Sequence, residues 1–244
     1  MLEFNKLYNM DCMSGMREFP DKYFDLAIVD VPYGIGAGNY ERGGRQPGNA
    51  KAASFAYTRK DWDNEPPAAD YFTELMRISK NQIIWGANHF ISRIPIDAPC
   101  WIVWDKDNGN NDYADCELAW TSFNTAVRRY KYKWHGMLQQ NMKNKELRIH
   151  PTQKPVALYS WLLSKYAKRG DKIIDTHAGS ASSLIACHRQ GLDFIGFEID
   201  AEYYAAASER LTSEIAQMRL DVIPPTPEQE EFTQSTLFVE GGCS

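Results

Sequence analysis

The sequence predicts an α/β fold, and three observations carry that expectation. Short apolar runs without alternation end at acids: Leu26-Ala27-Ile28-Val29-Asp30, Ile173-Ile174-Asp175 and Phe194-Ile195-Gly196-Phe197-Glu198. Strands of that kind are covered on both faces, as in a largely parallel sheet. Stretches of helical spacing separate them, with Phe72, Leu75 and Met76 in one and Leu158, Leu162 and Leu163 in another. Finally, residues 176–183 form a turn of mostly small residues between a strand and a helix. In open α/β sheets, ligands bind outside the carboxyl ends of the strands, which is where these acids fall.

Composition sets the bounds. A chain of 244 residues is long enough for one substantial core. No apolar run approaches a membrane span, and the N-terminus does not read as a signal peptide. Cys12, Cys100, Cys116, Cys187 and Cys243 are scattered without CxxC spacing, which argues against a metal cluster and suits a reducing cytoplasm. The formal net charge is −5, and five acids after residue 220, with no Lys or Arg among them, account for all of it. A neutral body can still carry a basic face toward nucleic acid.

In order, residues 4–9 read as a first strand and 13–19 as a short helix. Pro20-Asp21 turns into the strand that ends at Asp30. Residues 34–63 form a long glycine-rich loop holding Arg42, Arg45, Lys51, Arg59 and Lys60 among Tyr40, Phe55 and Tyr57. Loops this long are functional or inserted, and this mixture fits either a mobile lid on nucleic acid or a plain insertion. A helix over 68–80 follows Pro66-Pro67, then strands over 82–86, 101–106 and 117–120, the first of them ending at the turn residues Asn88-His89. Residues 127–135 alternate basic and aromatic side chains, as a strand facing phosphate would, or as a solvated edge strand. Helices over 156–168, 184–190 and 201–218, with strands over 171–175 and 194–198, complete the body. The main body is expected to span 1–220, with 105–145 as a small recognition region and 221–244 as an acidic, proline-containing tail.

Two stretches carry chemistry. After Asp30 come Val31, Pro32, Tyr33 and Gly34. The carboxylate can accept a hydrogen bond from an amino group, and the stiff proline aims the Val31 carbonyl as a second acceptor. Tyr33 offers a face on which a base can stack. The same residues also make an ordinary turn. In the second stretch, Gly179 lets a ligand approach the backbone, and Glu198 suits a ribose diol. With Ala181 where a dinucleotide site would have another glycine, the turn suits a nucleoside with a short charged chain, namely S-adenosylmethionine.

The chain resembles the permuted (beta-group) DNA amino-methyltransferases, in which the catalytic motif precedes the cofactor motif. Asp30-Val31-Pro32-Tyr33 differs at one position from that family's Asp-Pro-Pro-Tyr, and His150-Pro151-Thr152-Gln153-Lys154-Pro155 matches its cofactor-helix motif. Residues 175–183 resemble its Asp-Pro-Phe-Ala-Gly-Ser-Gly-Thr-Thr, with Thr176, His177, Ala181, Ser182 and Ser183 as departures. Gly196-Phe197-Glu198-Ile199-Asp200 with Tyr203 matches its ribose strand, and Asp11-Cys12 its adenine-side pair. The resemblance implies a Rossmann-like S-adenosylmethionine-dependent methyltransferase fold, a seven-stranded mixed sheet with helices on both faces. It implies catalysis at Asp30, Val31, Pro32 and Tyr33. It implies cofactor binding at Asp11, Cys12, His150, Thr152, Gln153, Lys154, Asp175, His177, Ala178, Gly179, Ser180, Ser182 and Glu198.

The expected reaction moves a methyl group to the N6 amine of a flipped adenine in DNA, with no metal. An N4-cytosine enzyme and a non-catalytic nucleic-acid-binding module are the alternatives. In the family, Asp as the first catalytic residue goes mostly with adenine and Ser with cytosine. By sequence alone, Asp30→Asn keeps one acceptor and should retain more transfer than Asp30→Ala. Expected partners are DNA and a second copy of the chain. Gln234, Leu237 and Phe238 resemble the pentapeptide that docks on the bacterial sliding clamp, while the same apolar pair could fold back on the body. No nuclease is found in the sequence, so a solitary enzyme borne by a phage or mobile element is one reading, and the modification half of a restriction-modification pair is the other.

Overall fold

The computed structural model describes residues 2–39, 60–94, 96–109, 114–135 and 138–222. Most of the basic loop and the tail after 222, with Gln234, Leu237 and Phe238, lie outside the described residues. The elements in order are β1 (Lys6–Asn9), α1 (Cys12–Met16), β2 (Phe24–Val29), α2 (Ala69–Ile78), β3 (Ser79–Trp85), β4 (Trp101–Asp105) and β5 (Cys116–Thr121). They continue with β6 (Arg128–Lys131), β7 (Trp134–His135), β8 (Leu138–Gln139), α3 (Val156–Tyr166), β9 (Lys172–Asp175), α4 (Ser182–Arg189), β10 (Asp193–Glu198) and α5 (Ala201–Val222).

Eight strands form one mixed sheet in the order β1-β10-β9-β2-β3-β5-β4-β6. From β1 to β3 every pairing is parallel; β5 runs antiparallel to both β3 and β4, and β6 is parallel to β4. The apolar runs read as doubly covered strands are buried almost throughout. Helices lie on both faces. Phe72, Leu75 and Ile78 of α2 pack with Met16 of α1 on one side, over Phe24, Ile84 and Phe197. Leu158 and Leu162 of α3, Leu184 and Ile185 of α4 and Ala207 of α5 pack on the other, over Leu26, Trp85 and Trp104. No described helix is long and apolar enough to cross a membrane.

Local chemistry sets the ends of the elements. Asp70 in the first turn of α2 and Arg77 in the last complement the helix dipole. Ser79 then switches to extended backbone while its hydroxyl donates to the Leu75 carbonyl, so α2 enters β3 with no loop. At the start of α3, where Pro155 offers no capping side chain, the Glu146 carboxylate accepts the Val156 N–H at 3.1 Å. The single strand expected over 127–135 is divided. Arg128–Lys131 joins the edge of the main sheet as its eighth strand, whereas Trp134–His135 pairs with Leu138–Gln139 in a separate two-stranded ribbon. The break falls at Tyr132, whose backbone turns toward the end of β4: its N–H donates to Asp105 O and its carbonyl accepts the Trp104 indole N–H. Trp134 is then buried, with its indole N–H on the Gln153 carbonyl at 2.8 Å.

Candidate active site

Asp30 stands one residue past the carboxyl end of β2. Its Oδ1 accepts two hydrogen bonds, from the Tyr33 hydroxyl at 2.7 Å and from Lys154 Nζ at 2.7 Å. Among the described residues, Oδ2 accepts none, and neither does the Val31 carbonyl. Lys154 is almost wholly buried, its side chain 2 % exposed. Its ammonium also reaches Glu117 Oε2 at 2.9 Å and the Tyr33 oxygen at 3.0 Å. Lys106 Nζ holds the other Glu117 oxygen at 2.5 Å. Burial pushes the Glu117 carboxyl up, but the Lys154 and Lys106 ammonium groups outweigh it and hold it down at about 2. For Asp30 the balance reverses: burial pushes its carboxyl up against the pull of Lys154, and the charge of Glu117 adds to the push.

The loop that carries these groups is tied from a distance. Asp63 accepts the N–H groups of Tyr33 at 2.6 Å and Gly34 at 3.0 Å on one oxygen, and that of Ala37 at 2.7 Å on the other. Gly36 N–H meets the Asp63 carbonyl, and Lys60 N–H meets Gly38 O, so the two ends of the basic loop are joined beside the site. Asp63→Ala strands three backbone donors and should lower unfolding free energy by about 2–3 kcal/mol in urea titrations; an unchanged midpoint would mean that water replaces the carboxylate. The Tyr33 ring stacks on His89, with centroids 5.1 Å apart and planes at 15°. Gly86 makes this possible. Its φ is +69°, and a Cβ there would lie 2.0 Å from the Tyr33 ring.

The second half of the site opens one strand over, because β9 neighbours β2. At the end of β9, Asp175 accepts the His177 N–H at 3.0 Å and the Ser183 hydroxyl. Gly179 N–H donates to Glu198 Oε2 at 2.9 Å, and Asp200 N–H to Glu198 Oε1 at 2.9 Å. Gly179 has φ +51°, and a Cβ there would find the His150 ring nearest, at 3.8 Å, an ordinary van der Waals contact. Arg210 braces the turn from behind, donating to Ser180 O at 2.7 Å and Ser182 Oγ at 2.9 Å while pairing with Glu146 at 2.7 Å. Opposite, Trp62 and Tyr203 pack against His150, and Lys60 pairs with Asp200 and Glu202 while lying 4.3 Å over the Tyr203 ring. Thr152 Oγ1 is 3.1 Å from His150 Nδ1, and burial pushes His150 down to about 3, so the ring is neutral.

The structure brings Gly179, Glu198, His150 and Thr152 together. Ala178 joins them through its N–H on the Phe197 carbonyl. Asp11 caps α1 through Ser14, and burial pushes the neighbouring Cys12 thiol up to about 12. His177 Nδ1 lies 2.9 Å from Thr176 Oγ1, which bonds the Tyr71 hydroxyl, and burial pushes the ring down to about 4. Two of the residues grouped with the cofactor stand elsewhere. Lys154 lies on Asp30, and Gln153 spends both ends of its amide on the backbone of Leu147 and Ile149. Sequence reasoning missed Glu117, Lys106, Asp63 and Arg210. The signal for Glu117 was a lone acid inside the apolar strand Cys116–Thr121; the others left no local signal.

Burial pushes the Asp175 carboxyl up to about 7, against the Ser183 and His177 hydrogen bonds. Its folded pKa therefore exceeds the ~3.9 of an unfolded chain. Its contribution to stability is complete below about pH 4 and is lost as the pH rises through 7, at up to about 1.4 kcal/mol per unit. Asp175→Asn should remove that decline. In denaturant titrations of the cofactor-free protein, the variant should gain on the parent between pH 5 and pH 8. A difference that does not change with pH would show Asp175 ionised throughout.

The N6/N4 DNA methylase family model matches residues 79–209, more than half of the chain. The chain is 34% identical over 248 residues to the type II methyltransferase M2.DpnII of Streptococcus pneumoniae, covering 85% of this chain and 90% of that protein. A shorter match, 39% identical over 71 residues, covers 29% of this chain and only 23% of the type II methyltransferase M.HpaI of Haemophilus parainfluenzae. Among solved structures, the M1.HpyAVI–SAM complex superposes with a TM-score of 0.52 at 20% identity, covering 84% of this chain and 98% of that one. The PvuII DNA methyltransferase, cytosine-N4-specific, gives 0.54 at 12% identity, covering 87% and 91%. At those identities the structures speak for the fold, while the family model and the M2.DpnII match reach further: the chain belongs to the N6/N4 DNA methylase family.

Proposed function

We propose that this chain transfers a methyl group from S-adenosylmethionine to the exocyclic N6 amine of an adenine flipped out of DNA. The observation that carries the reading is the pair of acceptors unengaged among the described residues, Asp30 Oδ2 and the Val31 carbonyl, one strand from the Gly179–Glu198 turn. Family membership supports DNA as the substrate, and the M1.HpyAVI complex with SAM supports the cofactor. The side-chain-free backbone at Gly179, φ +51°, and the remaining lone pairs of Glu198 fit a nucleoside with a short charged chain. Glu198 would hold its ribose hydroxyls, and the Ala178–Gly179 backbone would lie against its charged chain. When bound, it supplies an electrophilic sulfonium methyl.

The rest falls to the chain's own groups. A base inside the duplex stack must be extruded before its amine is reachable. Asp30 Oδ2 accepts one amine hydrogen and the Val31 carbonyl the other, which draws the nitrogen toward a tetrahedral, nucleophilic geometry. Tyr33, fixed by its hydroxyl on Asp30 and its ring on His89, offers the stacking surface. The rate gain comes mainly from fixed positions rather than from proton transfer. Asp30 as the first residue of the motif favours adenine over cytosine, since Ser holds that place in most N4-cytosine members.

The test is incubation of unmethylated plasmid DNA with the protein and labelled S-adenosylmethionine, followed by digestion to nucleosides and mass spectrometry. Label in N6-methyldeoxyadenosine is expected. Label in N4-methyldeoxycytidine would overturn the adenine assignment, and no label at all would favour a non-catalytic binding module.

A further inference from the structure

Resting on that reading, one part of the site has no duty toward either the target amine or the cofactor: the Lys106–Glu117–Lys154 chain of charges. Lys154 has three ammonium hydrogens and three acceptors, namely Asp30 Oδ1 at 2.7 Å, Glu117 Oε2 at 2.9 Å and the Tyr33 oxygen at 3.0 Å. The rings of Tyr33 and Trp85 lie 5.5 and 5.3 Å away, and the Lys154 side chain is shielded from solvent. Glu117 is itself fixed at both oxygens, by Lys106 on one side and Lys154 on the other. A buried N–H that loses its acceptor finds another nearby, since an unmade bond there is costly. The spare acceptor on the same carboxylate is Asp30 Oδ2. A Lys154 released from Glu117 would therefore straddle both oxygens of Asp30 and occupy the one that the target amine needs.

We propose that Glu117 is a positioning residue for methyl transfer: by holding one N–H of Lys154 it confines Lys154 to Oδ1 of Asp30 and leaves Oδ2 for the target amine. Glu117 touches neither substrate nor cofactor; its Oε2 also lies 3.4 Å from the Tyr33 hydroxyl, a longer contact than the 2.9 Å to Lys154 through which it chiefly acts. This differs from an ion cluster that merely satisfies a buried lysine, because its loss falls on turnover and not on binding. Lys106 has the subordinate part of keeping the Glu117 carboxylate turned toward Lys154.

The experiment is a double-mutant cycle on the full chain with Glu117→Ala, Glu117→Gln and Lys154→Met. It reads kcat and apparent KM for plasmid DNA from labelled methyl incorporation. Thermal melting and calorimetric Kd for S-adenosylhomocysteine report on the folded state. Glu117→Ala should lower kcat at least tenfold, with KM and Kd within threefold of the parent. Glu117→Gln keeps a carbonyl for Lys154 and should lose less. In a Lys154→Met background, Glu117→Ala should change kcat less than twofold. Turnover within twofold of the parent, a loss that appears in KM or Kd instead, or equal losses in both backgrounds would each overturn the role of Glu117. Should Glu117→Ala fail to fold, Glu117→Gln against Lys154→Met decides on the same criteria, with coupling expected and additivity overturning. A parent chain that places no label in DNA sinks the methyltransferase reading itself, whereas an active parent with indifferent Glu117 variants sinks only the positioning role.

Discussion

Asp30→Ala should abolish detectable methyl incorporation while calorimetry still shows S-adenosylhomocysteine binding. The carboxylate is one of two acceptors for the target amine, and deleting a fixed polar group aimed at the reacting atoms costs on the order of 10²–10³-fold in kcat. The geometry also changes the expectation for Asp30→Asn. Both donors at this carboxylate, Lys154 and the Tyr33 hydroxyl, converge on Oδ1. An asparagine must turn its carbonyl oxygen to them, which points its NH₂ at the incoming amine, donor against donor. Asp30→Asn should therefore be about as inactive as Asp30→Ala, although better folded, because Ala leaves the buried Lys154 with less compensation. Activity within tenfold of the parent in either variant would remove Asp30 from the reaction.

Glu198→Ala carries the next largest expected effect, a loss of about one to two orders of magnitude in cofactor affinity. A charge-assisted hydrogen bond contributes ~1.5–3 kcal/mol, and each 1.4 kcal/mol is about tenfold in Kd. Glu198 also ties the Gly179 and Asp200 N–H groups, so its removal loosens the turn on which the cofactor rests. Glu198→Gln separates the two effects, since one amide oxygen still accepts from a backbone N–H. Gly179→Val reaches the same endpoint sterically, placing a branched side chain against the His150 ring at a φ of +51° that valine resists. Calorimetry with S-adenosylhomocysteine checks all three; parental affinity in Glu198→Ala would place the ribose elsewhere.

What was legible in the sequence was local. Strand, turn, helix and strand from Lys172 to Glu198 could be read because period, small residues and acids follow one another within a few positions. Asp30 could be read because it ends an apolar run before a stiff Val-Pro. The partners of these residues are set by the sheet and not by their neighbours in sequence. Glu117 meets Lys154 because β5 lies beside β3 and brings its acid to the head of β2. Asp63 reaches back across a long loop to Tyr33, and nothing near either residue signals the other. The motif puts Lys154 with His150, yet the chain turns between them, with the Gln153 N–H on the His150 carbonyl, and carries Lys154 to Asp30. The division of 127–135 escaped notice because alternation continues smoothly through the residues where the pairing partner changes.

The pairing of β2 with β9, Leu26 against Ile173, has a consequence for how the chain is made. On a ribosome, β2 emerges and can pair with β3, but its other edge waits for β9. At ~5–20 residues per second that wait lasts about 7–30 s. Throughout it, the nascent polypeptide presents an apolar strand with one open ladder of N–H and C=O groups, the kind of edge that recruits other chains. β1 waits longer still, for β10. A nascent or truncated product that stops before β9 thus carries the Asp30 motif but an unsealed sheet, and is a substrate for chaperones and proteases rather than a weak enzyme.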